Sequence, residues 1–164
     1  MAGVIVQVNI SPGGLPKRPI DAGFIEPLGL RGDVHAHPAI HGGPRKAVLL
    51  IATEMVDELI RRGYPVFNGA LGENLSTRGL DFRDVRPGDQ VRAGGALLEI
   101  TGPRGPCHQL DIYGPGIQSE IYDQQVRELD TTSPRWGMSG FYAVVLEEGP
   151  VRAGDIIAIV AKLA

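Results

Sequence analysis

The chain has 164 residues, of which 43% are hydrophobic and 21% charged, and this length and composition predict a single globular domain, 1–164. The single cysteine excludes an internal disulfide framework and any zinc site built from several thiolates, and it favours a reducing, cytoplasmic location. The net charge of -3 argues against nucleic acid as a partner, and apolar runs of no more than six residues argue against a membrane span.

Short apolar stretches separated by glycine and proline predict most of the secondary structure. They indicate six strands, at residues 4–10, 46–52, 90–91, 96–101, 141–146 and 156–160. The clearest helix covers residues 53–62, with Thr53 as its N-cap and Gly63 just beyond its end. A second helix is expected between Ile117 and Leu129. This pattern predicts a mostly β fold, a closed or nearly closed β-barrel with a few short helices.

Cys107 is the first candidate for chemistry. It lies in the segment PRGPCH, residues 103–108, where Pro106 is suited to the first position of a helix. Cys107 would then lie in the first helical turn, where the helix dipole, Arg104 and His108 favour a thiolate. A thiolate is both a nucleophile and a soft metal ligand. The alternative is a buried, unreactive cysteine.

Three of the four histidines fall within seven residues, next to an aspartate. On an extended segment Asp33, His35 and His37 point the same way, and His41 follows. These residue types can bind zinc or iron, so a zinc-dependent hydrolase is one reading of this segment. The other reading is a polar loop with solvated histidines.

Basic residues recur among glycines in the first half of the chain. Residues 1–50 carry five Lys or Arg against three Asp or Glu, whereas residues 51–164 carry eleven against sixteen. Glycines let backbone amides approach an anion and arginine matches phosphate oxygens, so an anionic small-molecule ligand is expected. No P-loop or dinucleotide-binding motif is present, so an ordinary nucleotide site has no support.

Several short motifs occur in an order that resembles the MOSC domain, named after the C-terminal part of molybdenum cofactor sulfurase. They are SPGGLPK (11–17), GLRGD (29–33), HGGPRKA (41–47), GENL (72–75), GD (88–89), PRGPC (103–107), GMSGFY (137–142) and GD (154–155). Each is weak alone, but the ordered set covers nearly the whole chain. The length resembles the standalone bacterial branch of the family, some members of which are linked to resistance against N-hydroxylated purines.

The resemblance implies a β-barrel that binds a molybdenum cofactor of the molybdopterin type. Cys107 would be the thiolate ligand of molybdenum. The cofactor's phosphate and pterin would lie against Lys17, His41, Arg45, Asn74 and Arg104. Since relatives such as the mitochondrial amidoxime-reducing component reduce N–O bonds, the implied activity is reduction of a small N-hydroxylated substrate. No flavin or iron–sulfur motif is present, so a separate reductase would donate the electrons. A non-catalytic carrier of the cofactor or of sulfur is the alternative.

Overall fold

The computed structural model describes residues 1–34 and 42–163. Its strands are β1 (Ala2–Ile10), β2 (Arg18–Ile20), β3 (Ala22–Glu26), β4 (Gly29–Leu30), β5 (Val48–Ala52), β6 (Leu75–Arg78), β7 (Gln90–Ala93), β8 (Ala96–Pro103), β9 (Phe141–Glu147), β10 (Gly149–Arg152) and β11 (Ile156–Ala161). Its α-helices are α1 (Thr53–Arg61), α2 (Ile117–Ile121) and α3 (Gln124–Arg127), and three 3₁₀ turns cover Pro44–Lys46, Phe82–Asp84 and His108–Tyr113.

Seven strands close into a barrel in the order β1, β11, β7, β8, β9, β5, β6, and β6 pairs back to β1. An odd number of strands cannot close with antiparallel pairs alone, and here β5 and β6 are the parallel pair. The connection between them, which includes α1, crosses one side of the barrel. β2 pairs with β1 beside the ring, while β10, β3 and β4 form a second, small sheet. The predicted mostly β fold with a barrel and short helices is confirmed.

Strand β5 divides the core in two because all five of its residues are buried. Val48, Leu50 and Ala52 pack into the barrel interior. Leu49 and Ile51 point the other way and pack under α1 in a second cluster. Successive strand side chains alternate between faces, so this one strand supplies both cores. The outer face of β5 therefore carries a packed layer on which a site can be built.

Two local predictions need correction. The helix expected between Ile117 and Leu129 is two helices, because Tyr122 is extended and Asp123 caps α3 by accepting the backbone N–H of Val126 at 2.8 Å. The N-cap of α1 is Ala52, and Thr53 is its first residue. Among the described residues, no helix has both the length and the apolar character needed to cross a membrane.

Strands β2, β3, β4, β6 and β10 were not predicted. They are two to five residues long, and residues 76–78 of β6 are polar, so no alternating apolar pattern marks them. β3, β6 and β10 are positioned by pairing with strands distant in sequence, whereas β2 and β4 pair with their chain neighbours β1 and β3.

Candidate functional site

A pocket beside β5 collects residues from several separate stretches of the chain. Its lining in the described structure is Gly14, Leu15, Lys17, Val34, Lys46, Leu49, Gly72, Asn74, Arg104, Cys107, Gln109 and Tyr142. Its inner volume is about 50 Å³, room for a few water molecules, and it opens to solvent, so a larger ligand would extend through its mouth. Four of the residues predicted from sequence to bind the cofactor or its metal meet here: Lys17, Asn74, Arg104 and Cys107.

Cys107 lies on the wall of this pocket and is half-buried. The prediction that Cys107 lies in the first turn of a helix is wrong. The 3₁₀ turn begins at His108, and Cys107 is its N-cap in an extended conformation with φ −129° and ψ 130°. The backbone carbonyl of Cys107 accepts the N–H of Leu110 at 3.0 Å, which holds the residue at the start of the turn. The thiol is therefore presented by the pocket wall, and the helix-dipole argument for a thiolate no longer applies.

Arg104 is fixed in the pocket by the segment 139–140. Its backbone N–H donates to the carbonyl of Gly140 at 2.9 Å, and its carbonyl accepts the Ser139 hydroxyl at 2.6 Å. Gly140 has φ +82°, and a Cβ there would lie 2.3 Å from the carbonyl oxygen of Leu50, so only glycine fits. The side chain is 5% exposed, and its Nη1 has no hydrogen-bond partner among the described residues. A buried guanidinium N–H without an acceptor is suited to an anionic ligand.

Lys17 reaches the pocket in a different electrostatic state from the one expected. Its ammonium forms an ion pair with Asp33, and both side chains are buried, 8% and 2% exposed. Its position depends on Gly69, where a Cβ would lie 2.2 Å from the Lys17 carbonyl oxygen. A buried carboxylate this close cancels most of the ammonium's charge. Lys17 therefore adds less positive potential to the pocket than its residue type suggests.

Asn74 belongs to the same network. Its side-chain amide donates to Asp33 at 2.9 Å and to the carbonyl of Asn9 at 3.3 Å, and its oxygen accepts the N–H of Leu49 at 3.1 Å. Asp33 also accepts the N–H of Ser11 at 2.9 Å. The hydrogen-bonding groups of Asn74 are thus all used within the protein. The side chain links β5 to the Lys17–Asp33 pair.

Tyr142 and Lys46 form another wall of the pocket. The Lys46 ammonium lies 5.4 Å from the centre of the Tyr142 ring, a cation–π distance. Burial raises the pKa of the Tyr142 phenol, the Arg104 guanidinium lowers it, and Cys107 raises it. The phenol of Tyr142 therefore lies in the same pocket as the Arg104 guanidinium and the Cys107 thiol. Sequence reasoning assigned no role to Tyr142.

The remaining predicted residues are not brought together in this way. Arg45 is exposed in the turn Pro44–Lys46 and is not among the lining residues given above, whereas its neighbour Lys46 is. His41, like His35 and His37, lies outside the described residues. Within residues 1–34 and 42–163 no group of His, Cys, Asp and Glu has the arrangement of a metal site. Both oxygens of Asp33 already accept protein donors, so this carboxylate does not support the zinc reading.

Sequence comparison places the chain among known proteins. Residues 37–158 match the MOSC domain, and this is about three quarters of the chain. The chain belongs to the MOSC domain family. It is 33% identical over 154 residues to the uncharacterized protein YflK of Bacillus subtilis (strain 168), covering 91% of this chain and 64% of that one. It is 29% identical over 157 residues to the protein YiiM of Escherichia coli (strain K12), covering 93% and 66%.

The fold of this MOSC chain is also that of solved relatives. The crystal structure of Escherichia coli YiiM superposes with a TM-score of 0.74 at 26% identity, covering 100% of this chain and 72% of that one. YiiM from Geobacillus stearothermophilus superposes with a TM-score of 0.71 at 28% identity, covering 97% and 75%. The chain thus spans about two thirds of the length of the two curated relatives.

The donor set in the pocket of this MOSC chain fits a molybdenum cofactor chemically. Cys107 offers a sulfur ligand of the kind that soft metal centres prefer. Arg104 offers a buried N–H that has no acceptor in the part of the chain that the structure describes, and Lys46 adds a cation at the wall. A thiol and a buried guanidinium, groups chemically suited to a metal and to an anion, therefore line the same pocket.

Proposed function

We propose that this protein binds a molybdenum cofactor and uses it to reduce small N-hydroxylated compounds. The observation that carries the proposal is that the same pocket is lined by the Cys107 thiol and by Arg104, whose buried Nη1 has no acceptor among residues 1–34 and 42–163. Metal-ligating and anion-binding groups from one loop are what a cofactor with a metal centre and a phosphate requires. Membership of the MOSC family adds support from a separate source.

Each residue has a distinct part in this proposal. Cys107 holds molybdenum through its sulfur, Arg104 binds an anionic group of the cofactor, and Lys46 adds positive potential. The Lys17–Asp33 pair with Asn74 keeps the wall next to β5 in place. When bound, the cofactor supplies a two-electron couple. Reduction of an N–OH group to N–H consumes two electrons and two protons and releases water.

The electrons come from a partner protein. The chain has one cysteine, which the proposal assigns to molybdenum, so no set of thiolates remains for an iron–sulfur cluster. We therefore expect a separate reductase to dock near the pocket mouth. In an assay this partner is replaced by a chemical one-electron donor.

The test is turnover by protein produced in cells with an intact cofactor pathway. An amidoxime is supplied with the reductant, and formation of the amidine is measured for the wild type, Cys107→Ser and His108→Gln. His108 is exposed and is not among the lining residues, so His108→Gln is a matched control next to the thiol. We expect activity in the wild type and in His108→Gln and its loss in Cys107→Ser. A wild type that carries molybdenum but gives no product would contradict the reductase proposal and favour a carrier.

A further inference from the structure

A second cavity lies where the start of α1 meets the segment that follows β6. It is lined by residues of the segments 52–55 and 79–83 and by Trp136. Its volume is about 260 Å³, and it opens to solvent. In the described structure it shares no lining residue with the pocket that contains Cys107. The proposed mechanism therefore gives this cavity no role.

Much of the wall of this cavity is apolar and aromatic. Leu80, Phe82 and Trp136 line it and are at most 4% exposed, and Met55 packs beside them against the barrel core. Trp136 is held in place by its indole N–H, which donates to the carbonyl of Val85 at 3.0 Å. An apolar cavity of about 150 Å³ is large enough for benzene. The volume found here therefore accommodates an aromatic ring with a short side chain.

One oxygen atom of this lining lacks a hydrogen-bond partner. Glu54 lies in the first turn of α1, and its Oε2 accepts the backbone N–H of Gly79 at 2.8 Å. Its other oxygen, Oε1, is buried and has no partner among the described residues. A buried acceptor without a donor is unfavourable, and more so when the group is charged. The bond from Gly79 holds the carboxylate at the cavity wall, so a donor that enters the cavity would supply the missing contact.

The charged groups of the lining favour a positively charged donor. Asp81 and Arg83 also line the cavity, and both are exposed at its rim. Two carboxylates, of Glu54 and Asp81, and the one guanidinium of Arg83 give the lining a formal net charge of -1. The next cation, Arg86, is not among the lining residues, and its guanidinium donates to two backbone carbonyls. The cavity thus combines an apolar wall, a carboxylate oxygen without a donor and an excess of negative charge.

We propose that this cavity binds a small organic cation, a primary ammonium group carried on an apolar body. The ammonium donates to the carboxylate of Glu54, and the apolar body packs against Leu80, Phe82 and Trp136. Because the free oxygen of Glu54 is shielded from water, the two charges attract each other more strongly than they would at an exposed site. Burial of the apolar body adds to the affinity. The inference goes beyond the proposed function, since it involves neither Cys107 nor molybdenum.

The experiment titrates the full chain with benzylamine at neutral pH, where the amine is protonated. Trp136 is the single tryptophan of the chain, so its fluorescence reports directly on this cavity. We expect a saturable change with a Kd of about 1 mM, an ordinary affinity for a ligand this small. Benzyl alcohol has nearly the same shape without the charge and should bind about tenfold more weakly. No saturable change with benzylamine, or equal affinity for the two ligands, would overturn the proposal.

Glu54→Gln tests the carboxylate, since it keeps the size of the side chain and an oxygen that can accept from Gly79. It should lower the affinity for benzylamine about tenfold and leave that for benzyl alcohol unchanged. Glu148→Gln, at an exposed residue between β9 and β10, makes the same change of charge and should bind both ligands as the wild type does. Equal affinity for benzylamine in the two variants would overturn the proposal.

A second measurement covers the case in which Glu54→Gln does not fold. In amide NMR spectra of the wild type, benzylamine should shift the backbone N–H of Gly79, which donates to Glu54, and the indole N–H of Trp136. The backbone N–H groups of Arg104 and Cys107, in the other pocket, should not shift. Shifts in that pocket without a shift at Gly79 would also overturn the proposal. Because neither experiment involves molybdenum, the cation site and the reductase activity can fail independently of one another.

Discussion

Replacing Asp33 with asparagine removes the counter-ion of a buried lysine at nearly constant volume. Asp33 accepts hydrogen bonds from the N–H of Ser11, the amide of Asn74 and the ammonium of Lys17. Asparagine has one acceptor oxygen. If that oxygen keeps the bond to Ser11, the NH₂ group of the new asparagine faces two other donors, the Asn74 amide and the Lys17 ammonium. The ammonium then remains buried without an opposite charge.

The expected loss is large because the pair is buried, with side chains 8% and 2% exposed. Removing one partner of such a pair costs about 3–5 kcal/mol. For a chain of this size that corresponds to a fall in Tm of roughly 10 °C. The matched control is Glu26→Gln, which breaks the Arg31–Glu26 pair, whose side chains are 66% and 38% exposed. Solvent screens that pair, so its loss should cost less than about 1 kcal/mol.

Urea unfolding measures the coupling free energy between Lys17 and Asp33. The four proteins needed are the wild type, Asp33→Asn, Lys17→Met and the double variant. Without the ammonium, asparagine at position 33 leaves no buried charge uncompensated. The double variant should therefore be more stable than the sum of the single effects predicts, with a coupling of about 1–3 kcal/mol. Additive effects, or an Asp33→Asn protein as stable as Glu26→Gln, would refute this view of the pocket wall.

Three further predictions concern the pocket. Because burial raises the pKa of Glu73, its contribution to stability is present at low pH and is lost as the pH rises through that raised pKa; urea unfolding across a pH series should show this decline in the wild type and a flatter profile in Glu73→Gln. Gly140→Ala, which would place a Cβ 2.3 Å from the Leu50 carbonyl oxygen at φ +82°, should lower stability by about 2 kcal/mol or more; an unchanged Tm would contradict the close approach. Cys107→Ser should lose reductase activity while its free energy of unfolding changes by about 1 kcal/mol or less; retained activity with a clearly lower Tm would indicate a structural cysteine instead.

The strands of the barrel could be predicted where the strand's own residues form an alternating or continuous apolar pattern. β1 alternates, and β5 is a continuous apolar run, so both were found with nearly correct bounds. β6 and β10 were missed because a four-residue strand with polar or turn-forming residues is specified by its partners and not by its own sequence. The break at Asp123 was missed because an N-cap inside an apolar pattern has no signal beyond the residue type.

The sequence predicted two of the pocket's cations, Lys17 and Arg104, and its thiol, but it indicated Arg45 where the pocket has Lys46, and it did not predict the roles of the carboxylates. Lys17, Arg104 and Cys107 stood out because basic residues beside glycines and a lone cysteine beside arginine suggest ligand chemistry. Asp33 was considered only as a metal ligand and Glu73 not at all. The pairing of the Asp33 carboxylate with the Lys17 ammonium joins residues 16 apart in the chain, and this separation carries no periodic signal. The net charge of the pocket could therefore be assessed only once the fold was known.

The most direct test of the central claim is the molybdenum and pterin content of the purified protein. Wild type and Cys107→Ser are produced in the same cells with an intact cofactor pathway, and metal is measured by mass spectrometry and pterin by fluorescence after oxidation. We predict roughly one molybdenum and one pterin per wild-type chain and a strong loss of molybdenum in Cys107→Ser. Equal molybdenum in the two proteins, or none in the wild type, would contradict the assignment of Cys107 as its ligand.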